Sequence, residues 1–279
     1  MDFLFQYKDE DIYLIHLIDQ HPKSTNFLMH AHDVPEIYCF LRGAARYWIE
    51  GRQYPLAPNS LMVIRQSETH RLEICSEEQP YERFAIHFSP RILATVDPAQ
   101  LLLAPFYNRP LGRQNLYLPE VFPIAQPHKL LHAMCNTSVG TEQQRLSILS
   151  YFFPLLEQIR LVFAHGEKDD LSAYASSHNL VEEVVLYINE HLFEELSLTL
   201  LGKHFYLSIS HLNRIFRAAT GSSIHEYILV KRLIAAREYI QGGKGAGAAA
   251  LLCGFQDYSS FYRAYVRRFG VSPKADFQA

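Results

Sequence analysis

Two helix–turn–helix patterns in residues 196–279 limit the possible folds of this chain more than any other feature. The first runs from Ser197 through a turn at Tyr206-Leu207 into a helix predicted over Ser208–Ala218. The second ends in a helix that Asp257 or Ser259 would cap, because both side chains accept hydrogen bonds from a helix N-terminus. Two such units about 50 residues apart can read two turns of one DNA face.

The charge of this region favours a partner rich in phosphate. Residues 197–275 hold 11 Lys and Arg against 3 acidic residues, a net charge of +8 (11 − 3), although the whole chain carries −3. A local basic excess is typical of a surface that faces nucleic acid. The region lacks the dense lysine runs and stacking aromatics that a non-specific or RNA-binding protein uses. A sequence-reading DNA module is therefore the leading interpretation.

Each predicted recognition helix has an outward face with suitable chemistry. Arginine pairs bidentately with guanine and asparagine with adenine, and an isoleucine can meet a thymine methyl. A long helix over Ile224–Ile240 would hold the two units apart. The alternative for either helix alone is an ordinary amphipathic helix with a solvated charged face. The candidate DNA-contacting residues are Ile209, Ser210, Asn213, Arg214, Arg217, Lys231, Arg237, Tyr258, Ser259, Tyr262, Arg263 and Arg267.

The last third also resembles the DNA-binding domain of AraC/XylS-type bacterial transcription regulators. The resemblance rests on the run from Leu198 through Leu207-Ser208, His211-Leu212-Asn213-Arg214-Ile215-Phe216-Arg217 and Gly221, then Gly254-Phe255, Phe261, Phe269-Gly270 and Ser272-Pro273. It implies that bases face Ser210, Asn213, Arg214, Tyr258, Ser259, Tyr262 and Arg263. It assigns Arg217, Lys231, Arg237 and Arg267 to phosphates or to packing.

One segment departs from that family. Gly245-Ala246-Gly247-Ala248-Ala249-Ala250 occupies the first helix of the second unit, where the family places large aliphatic residues at positions 246 and 249. Truncating a buried isoleucine costs about 2–5 kcal/mol, and each glycine inside a helix about 1 kcal/mol. We therefore expect this helix to be weak.

The first part of the chain has the pattern of a β-barrel. Short apolar runs at Ile12–Ile18, Ile37–Leu41, Leu61–Ile64 and Arg83–Phe88 are separated by glycine- and proline-containing turns. Within them, His30-Ala31-His32, three residues, Glu36 and then Gly43 match the first cupin motif, and His70 falls near the place of the second. In place of the second motif's proline and glycine stand Arg65 and Ser67.

These residues predict either an effector pocket or a metal site inside the barrel. Three imidazoles and a carboxylate suit a divalent transition metal, whose ligands would be His30, His32, Glu36 and His70. The sensor domains of AraC-type regulators usually work as metal-free pockets, and that is the favoured reading, with no cofactor expected. Trp48, beside Tyr38 and Tyr47, could stack on a sugar or simply belong to the core. The candidate effector residues are His30, His32, Glu36, Tyr38, Trp48 and His70.

The resulting expectation is a two-domain chain. An all-β cupin-like barrel over residues 1–126 senses a ligand, and a helical segment over 127–165 pairs two copies or packs on its own barrel. A linker over 166–178 precedes an all-α domain, 179–279, whose two helix–turn–helix units are joined by a long helix. Thr141 and Gln144 would form a capping box, and Pro154 would bend the longer helix.

The predicted function is a DNA-binding transcription regulator controlled by a small effector, such as a sugar or glycoside. We expect a cytoplasmic homodimer on double-stranded DNA, reaching RNA polymerase if it activates, and no enzyme or membrane protein. Cys39, Cys75, Cys135 and Cys253 form no CxxC pair and read as reduced thiols. The alternatives are a metal-dependent cupin enzyme or a metal-sensing regulator. If the protein were an enzyme, the two basic helix–turn–helix units would have no role.

Overall fold

A computed structural model describes residues 1–135, 141–166 and 180–277. The chain forms two compact units, Met1–Ser176 and Ser177–Ala279. Most of the predicted linker and the side chain of Thr141, the proposed cap of the capping box, lie outside the described residues.

The first unit is built from two antiparallel sheets. The larger has the strand order β1-β2-β8-β3-β6-β9, and the smaller has the order β5-β4-β7. The strands are β1 (Asp2–Lys8), β2 (Ile12–Asp19), β3 (Glu36–Arg42), β4 (Ala45–Ile49), β5 (Arg52–Pro55), β6 (Leu61–Ile64), β7 (His70–Ile74), β8 (Tyr81–Phe88) and β9 (Leu116–Tyr117).

Alternation along the strands divides the core into two layers. Tyr38 and Phe40 of β3 face the smaller sheet and pack with Tyr47 of β4, inside the cupin-like barrel. Ile37 and Cys39 point to the opposite face. Because β3 carries large apolar residues in both directions, it is buried on both faces and lies inside the larger sheet.

Two helices cover that opposite face of the larger sheet. They are α2 (Pro127–Cys135) and α3 (Thr141–His165), and a short helix, α1 (Ala104–Tyr107), precedes them. The apolar side of α3, including Ile148, Phe152 and Leu156, is fully buried in the sheet's outer core. This side of α3 packs on its own barrel, which was one of the two roles expected from the sequence.

The length and composition of Gln143–His165 would allow α3 to cross a membrane. Its fully buried residues lie against the sheet, however, and Arg145 near its start forms ion pairs with Asp9 and Asp11. These buried apolar residues therefore belong to the core of the first unit.

The second unit is helical. Its helices are α4 (Leu180–Glu190), α5 (Leu198–His204), α6 (Ile209–Thr220), α7 (Ile224–Gln241), α8 (Ala246–Leu252), α9 (Tyr258–Phe269) and α10 (Pro273–Phe277). Ser197, Ser208 and Ser223 cap α5, α6 and α7 with their hydroxyls, and the Asp257 carboxylate caps α9. The predicted double helix–turn–helix is therefore present.

The Gly/Ala-rich run does form a helix. Ala249 and Ala250 of α8 are buried beside Leu233 of α7 and Phe261 of α9. Gly245 stands at the N-cap of α8 without a capping side chain, and a Cβ added at Gly247 would meet nothing within 4 Å. The helix thus depends on its packed side, because neither its cap nor its glycines favour it.

Candidate effector pocket and nucleic-acid interface

Polar side chains converge at one end of the barrel interior. His30 and His70 pair their backbones, with N–O distances of 3.0 and 2.8 Å, so their rings lie side by side with centroids 4.3 Å apart. In the pairing of β3 with β8, Glu36 is opposite His87. His32 completes the group, its ring centroid 4.2 Å from that of His87. The structure therefore brings His30, His32, Glu36 and His70 together.

One carboxylate oxygen is the centre of this histidine–glutamate cluster. Glu36 Oε2 lies 3.3 Å from His32 Nε2, 3.2 Å from His70 Nε2 and 3.6 Å from His87 Nε2. None of these contacts has regular hydrogen-bond geometry, and the Glu36 oxygen and the nitrogens of His70 and His87 are buried without a partner. Burial alone would raise the pKa of Glu36, but the nearby imidazoles hold it well below its usual value.

Hydrogen bonds from the second ring nitrogen orient two of the histidines. His30 Nδ1 donates to the Leu28 carbonyl and His70 Nδ1 to the Glu68 carbonyl, each at 2.8 Å. Burial, with the neighbouring rings of His70 and His32, lowers the pKa of His30 to about 3. A neutral ring that donates through Nδ1 presents the Nε2 lone pair, which is the arrangement of a metal-bound histidine.

The cluster has the spacing and the donor set of a metal site. Ligand atoms about 2.1 Å from one ion lie about 3.0–3.4 Å from each other, close to the Glu36 separations. The ligand atoms of His30, His32 and His70 lie within 4.8 Å of one another, as do those of His32, Glu36 and His87. Imidazoles with one carboxylate suit zinc, iron, nickel or copper.

Two side chains differ from the sequence expectation. His87 is not among the residues predicted for the site, but β8 places it opposite Glu36; its spacing from Tyr81 and Arg83 on one strand face was the available signal. Trp48 was expected in the pocket, but it alternates with inward Tyr47 and Ile49 and is only half-buried. Its Nε1 donates to Glu73 and Arg71 stacks on its ring, so we remove Trp48 from the effector set.

A buried ion pair supports the loop before His70. Arg109 donates from both terminal nitrogens to the Glu68 carboxylate at 2.7 Å, and both side chains are fully buried. Asn115 adds a hydrogen bond at 3.0 Å. Because the Glu68 backbone carbonyl accepts from His70, this network holds the imidazole in its orientation.

The first recognition helix, α6, presents most of the predicted face. Ile209, Ser210, Arg214 and Arg217 are exposed, while Leu212 and Phe216 are buried. Asn213 differs, because its Oδ1 accepts from the backbone N–H of Ile224 at 3.2 Å. A bidentate contact to adenine needs that oxygen. We therefore assign Asn213 to the junction of α6 and α7 and remove it from the base-reading set.

The second recognition helix, α9, has the same organisation. Tyr258, Ser259, Tyr262, Arg263 and Arg267 are exposed, and Phe261 and Tyr265 are fully buried. The helix begins where Asp257 accepts from the backbone N–H groups of Ser259 and Ser260. Its basic end carries Arg267 and Arg268 in the last turn.

Two cations expected at the DNA face are engaged inside the unit. Lys231 is only 5% exposed, beside the ring of Tyr227. Arg237 donates to the Asp276 carboxylate at 2.8 and 3.0 Å and stacks on Phe269. Both project from α7 toward neighbouring helices, so packing, and not phosphate binding, is the role we assign to them.

Arg232 joins the two helix–turn–helix units. Its guanidinium donates to three backbone carbonyls, those of Leu192, Glu194 and Gly254, at 2.8, 2.6 and 2.9 Å. The first two precede α5, and the third lies in the turn between α8 and α9. This Arg232 clamp lines a cleft of about 890 Å³ that also contains Arg263 and Arg267 of α9.

Two family models match this chain. The model described as AraC-like ligand binding domain matches residues 7–147, just over half of the chain, and a helix-turn-helix domain model matches residues 201–279.

Similar proteins match either the whole chain or its last third. The uncharacterized HTH-type transcriptional regulator YfiF of Bacillus subtilis is 26% identical over 95% of this chain and 83% of its own length. The HTH-type transcriptional activator RhaS of Escherichia fergusonii is 21% identical over 89% of this chain and 86% of its own. The probable transcriptional regulator LumQ of Photobacterium leiognathi is 36% identical, but over only 31% of this chain and 36% of LumQ.

Solved structures give matches of both kinds as well. ToxT from Vibrio cholerae covers 96% of this chain and 98% of its own, with 12% identity and a TM-score of 0.38. The DNA-binding domain of AdpA, in complex with a target DNA, covers 34% of this chain and 87% of its own, with 28% identity and a TM-score of 0.33. By the two family matches, the chain belongs to the AraC family of transcriptional regulators, with an AraC-like ligand-binding domain followed by a helix-turn-helix domain.

Proposed function

We propose that the protein is a cytoplasmic regulator that binds a specific double-stranded operator through α6 and α9 and responds to a small effector in the barrel. The observation that carries this proposal is the pair of capped helices whose apolar sides are buried and whose outer faces are polar and basic. The proposed DNA contacts are Ile209, Ser210, Arg214, Arg217, Tyr258, Ser259, Tyr262, Arg263 and Arg267.

We further propose a sugar or glycoside as the effector. The barrel interior combines aromatic rings, such as Tyr38 and Tyr47, with the imidazoles of His30, His32 and His70. Aromatic faces with a few convergent polar groups are typical of pockets that bind small polar molecules. The effector acts by a population shift, which requires that it binds one arrangement of the protein more tightly than another.

Two further parts of the proposal concern partners. Pairing of two copies would match the symmetry of a palindromic operator, and the exposed residues of α3, such as Leu146, are a candidate surface. We also propose that the protein activates transcription through contact with RNA polymerase, since its relative RhaS is a transcriptional activator.

A metal-sensing regulator is the second candidate, because the histidine–glutamate cluster fits a divalent ion. His30, His32, Glu36 and His70, with His87, would hold it. A metal there would polarise and bind effector oxygens directly, as a Lewis acid. The protein's own residues would orient the imidazoles through the Leu28 and Glu68 carbonyls.

Thermal unfolding distinguishes these candidates, because a compound that binds the native state raises the midpoint. The purified protein is scanned with a panel of sugars and of divalent metals, each with and without chelator. A saturable rise with one sugar supports the effector pocket. A rise with metal alone, lost in His70→Ala, supports the metal sensor and overturns the metal-free pocket.

The DNA part is tested separately by selecting binding sites from random double-stranded DNA. We expect a sequence motif with two parts about one helical turn apart. Recovery of no motif, with affinity that depends only on salt, would contradict sequence-specific reading.

A further inference from the structure

A half-buried arginine lies in the barrel interior away from the histidine–glutamate cluster. Arg83 is on β8, opposite Phe40 of β3, and faces the same interior as Tyr38. Its guanidinium carbon is 5.7 Å from the ring centre of Phe27, 5.8 Å from that of Tyr81 and 5.9 Å from that of Tyr38. Aromatic rings therefore surround the cation.

The hydrogen bonds of this arginine are incomplete. Nη1 donates to the Tyr81 hydroxyl at a long 3.3 Å, and Nε is buried without a partner. The Tyr38 and Tyr81 hydroxyls are 2.6 Å apart, so one of them donates to the other. A buried donor without an acceptor is costly, and a buried cation more so.

Among the described residues, Arg83 has no carboxylate within ion-pair distance, and other arginines show the contrast. Arg109 pairs with Glu68, Arg145 with Asp9 and Asp11, and Arg237 with Asp276. Those pairs satisfy their cations within the fold. Arg83 lacks such a partner at a position that faces the barrel interior.

We propose that Arg83, with the hydroxyls of Tyr38 and Tyr81, binds an anionic oxygen group of the effector, either a carboxylate or a phosphate. A guanidinium offers a fork of donors that matches both groups, and the Nε donor of Arg83 has no partner within the fold. This inference rests on the proposed use of the barrel as the effector pocket.

The location of the site narrows the effector class. Arg83 and His87 lie four residues apart on the same face of β8, a separation of about 13 Å along a strand. The barrel interior thus has a cationic end and an imidazole end. An effector with hydroxyl groups at one end and an acid at the other fits both, which favours sugar acids and sugar phosphates over neutral sugars.

The test uses the full chain and ligands matched except for charge. Thermal unfolding and calorimetric titration compare inorganic phosphate alone, glucose with glucose 6-phosphate, and galactose with galacturonate, all at constant ionic strength set with chloride. We expect a saturable rise of the unfolding midpoint with phosphate or with a charged member of a pair, and a smaller or no rise with its neutral partner.

The variants separate the site from a general salt effect. Arg83→Met should weaken anion binding about ten-fold or more, because a hydrogen bond to a charged group is lost, and Arg83→Lys should retain part of it. Arg71→Met is the matched control, since Arg71 also stacks on an aromatic ring, that of Trp48, but outside the pocket. It should bind the anion as the wild type does. If Arg83→Met fails to fold, Arg83→Lys and Tyr81→Phe serve in its place, with weaker binding expected in both.

Two outcomes would overturn the inference: wild-type protein that responds to no anion, or a response that is the same in the Arg83 and Tyr81 variants. Binding-site selection on the same preparations keeps the larger proposal separate. Specific DNA binding without anion binding rejects the Arg83 site and leaves the regulator in place. If the wild-type protein shows no specific DNA binding, the proposal that it is a transcription regulator is rejected.

Discussion

At the scale of single residues, Glu68 connects the stability of the barrel to the geometry of its pocket. Its carboxylate is fully buried and accepts hydrogen bonds from two nitrogens of Arg109, while its backbone carbonyl orients the ring of His70. Burial would raise the pKa of Glu68, but the charge and hydrogen bonds of Arg109 outweigh it and lower the pKa below its ordinary value. The ion pair thus stabilises the fold only while this carboxylate is ionised.

The sign of that shift predicts how stability changes with pH. The folded pKa is below the unfolded value of about 4.3, so the contribution is complete above the unfolded pKa and is lost as the pH falls through the folded one. We expect the gap in unfolding free energy between wild type and Glu68→Gln to be constant from about pH 7 to 5.5 and to narrow below about 4.5. Urea unfolding across this range measures it. A gap that widens on acidification would contradict the assignment.

Arg214 on α6 provides the residue-scale prediction for DNA. It is exposed and contacts only His211, at 2.9 Å, among the hydrogen bonds described. Arg214→Ala should cost about 1–3 kcal/mol of binding free energy and relax preference at one position of the selected site. Arg267→Ala is the comparison. It should weaken binding to all DNA sequences alike and reduce the slope of log affinity against log salt concentration by about 1. An unchanged selected motif in Arg214→Ala would remove this residue from the reading set.

At the scale of elements, two glycines near the ends of α8 should respond in opposite ways to the same change. Gly247→Ala should stabilise by about 1 kcal/mol, because the added Cβ meets open space and alanine favours helix. Gly254→Ala should destabilise. Its φ is +77°, and its Cβ would lie 2.9 Å from the Phe193 carbonyl oxygen. Thermal unfolding midpoints of the two variants measure these effects. A midpoint shift of the same sign in both variants would be inconsistent with this account.

The Arg232 clamp gives a second prediction for an element, the long helix α7. Arg232→Met removes hydrogen bonds to the carbonyls of Leu192, Glu194 and Gly254, and should cost about 2 kcal/mol or more. Hydrogen exchange should quicken at the turn between α8 and α9 and before α5. Arg217→Met, at an exposed position of α6, is the control and should leave both unchanged. An equal effect of the two variants would show that the clamp contributes nothing of its own.

At the scale of the whole molecule, effector and DNA must influence each other equally. If the effector changes the affinity for the selected DNA site by some factor, the DNA changes the affinity for the effector by the same factor. We expect the two factors, measured by titrating each ligand in the presence and absence of the other, to agree. A factor of one in both directions would mean that the bound compound is not an effector of DNA binding.

The division into barrel and helical domain followed from the sequence because each has its own periodicity. β2, β3, β6 and β8 fall on the predicted apolar runs, and α6, α7 and α9 on the predicted helices. β1 was missed because it is an edge strand whose side chains are mostly exposed. β9 was missed because two residues carry no period.

The sites were harder to predict than the elements. Sequence spacing identified four members of the histidine–glutamate cluster, but His87 reaches Glu36 only through the register of β8 with β3. Similarly, Lys231 and Asn213 have the residue types of DNA contacts, and only packing shows that they are engaged elsewhere. Composition defines a charged face, whereas the tertiary structure decides which charges reach it.

The convergence of imidazoles on Glu36 has a consequence at the bench. If the second candidate holds, a site with these ligands would take up nickel and copper as well as zinc, because the affinities of nitrogen and oxygen ligands for first-row ions follow one general order. Protein purified through a polyhistidine tag on nickel resin would then leave the column with nickel in its barrel. A thermal unfolding scan of such a sample would then report the binding of nickel taken from the resin. Tag-free preparation in metal-depleted buffer is thus the starting material from which the natural occupant of this pocket is to be identified.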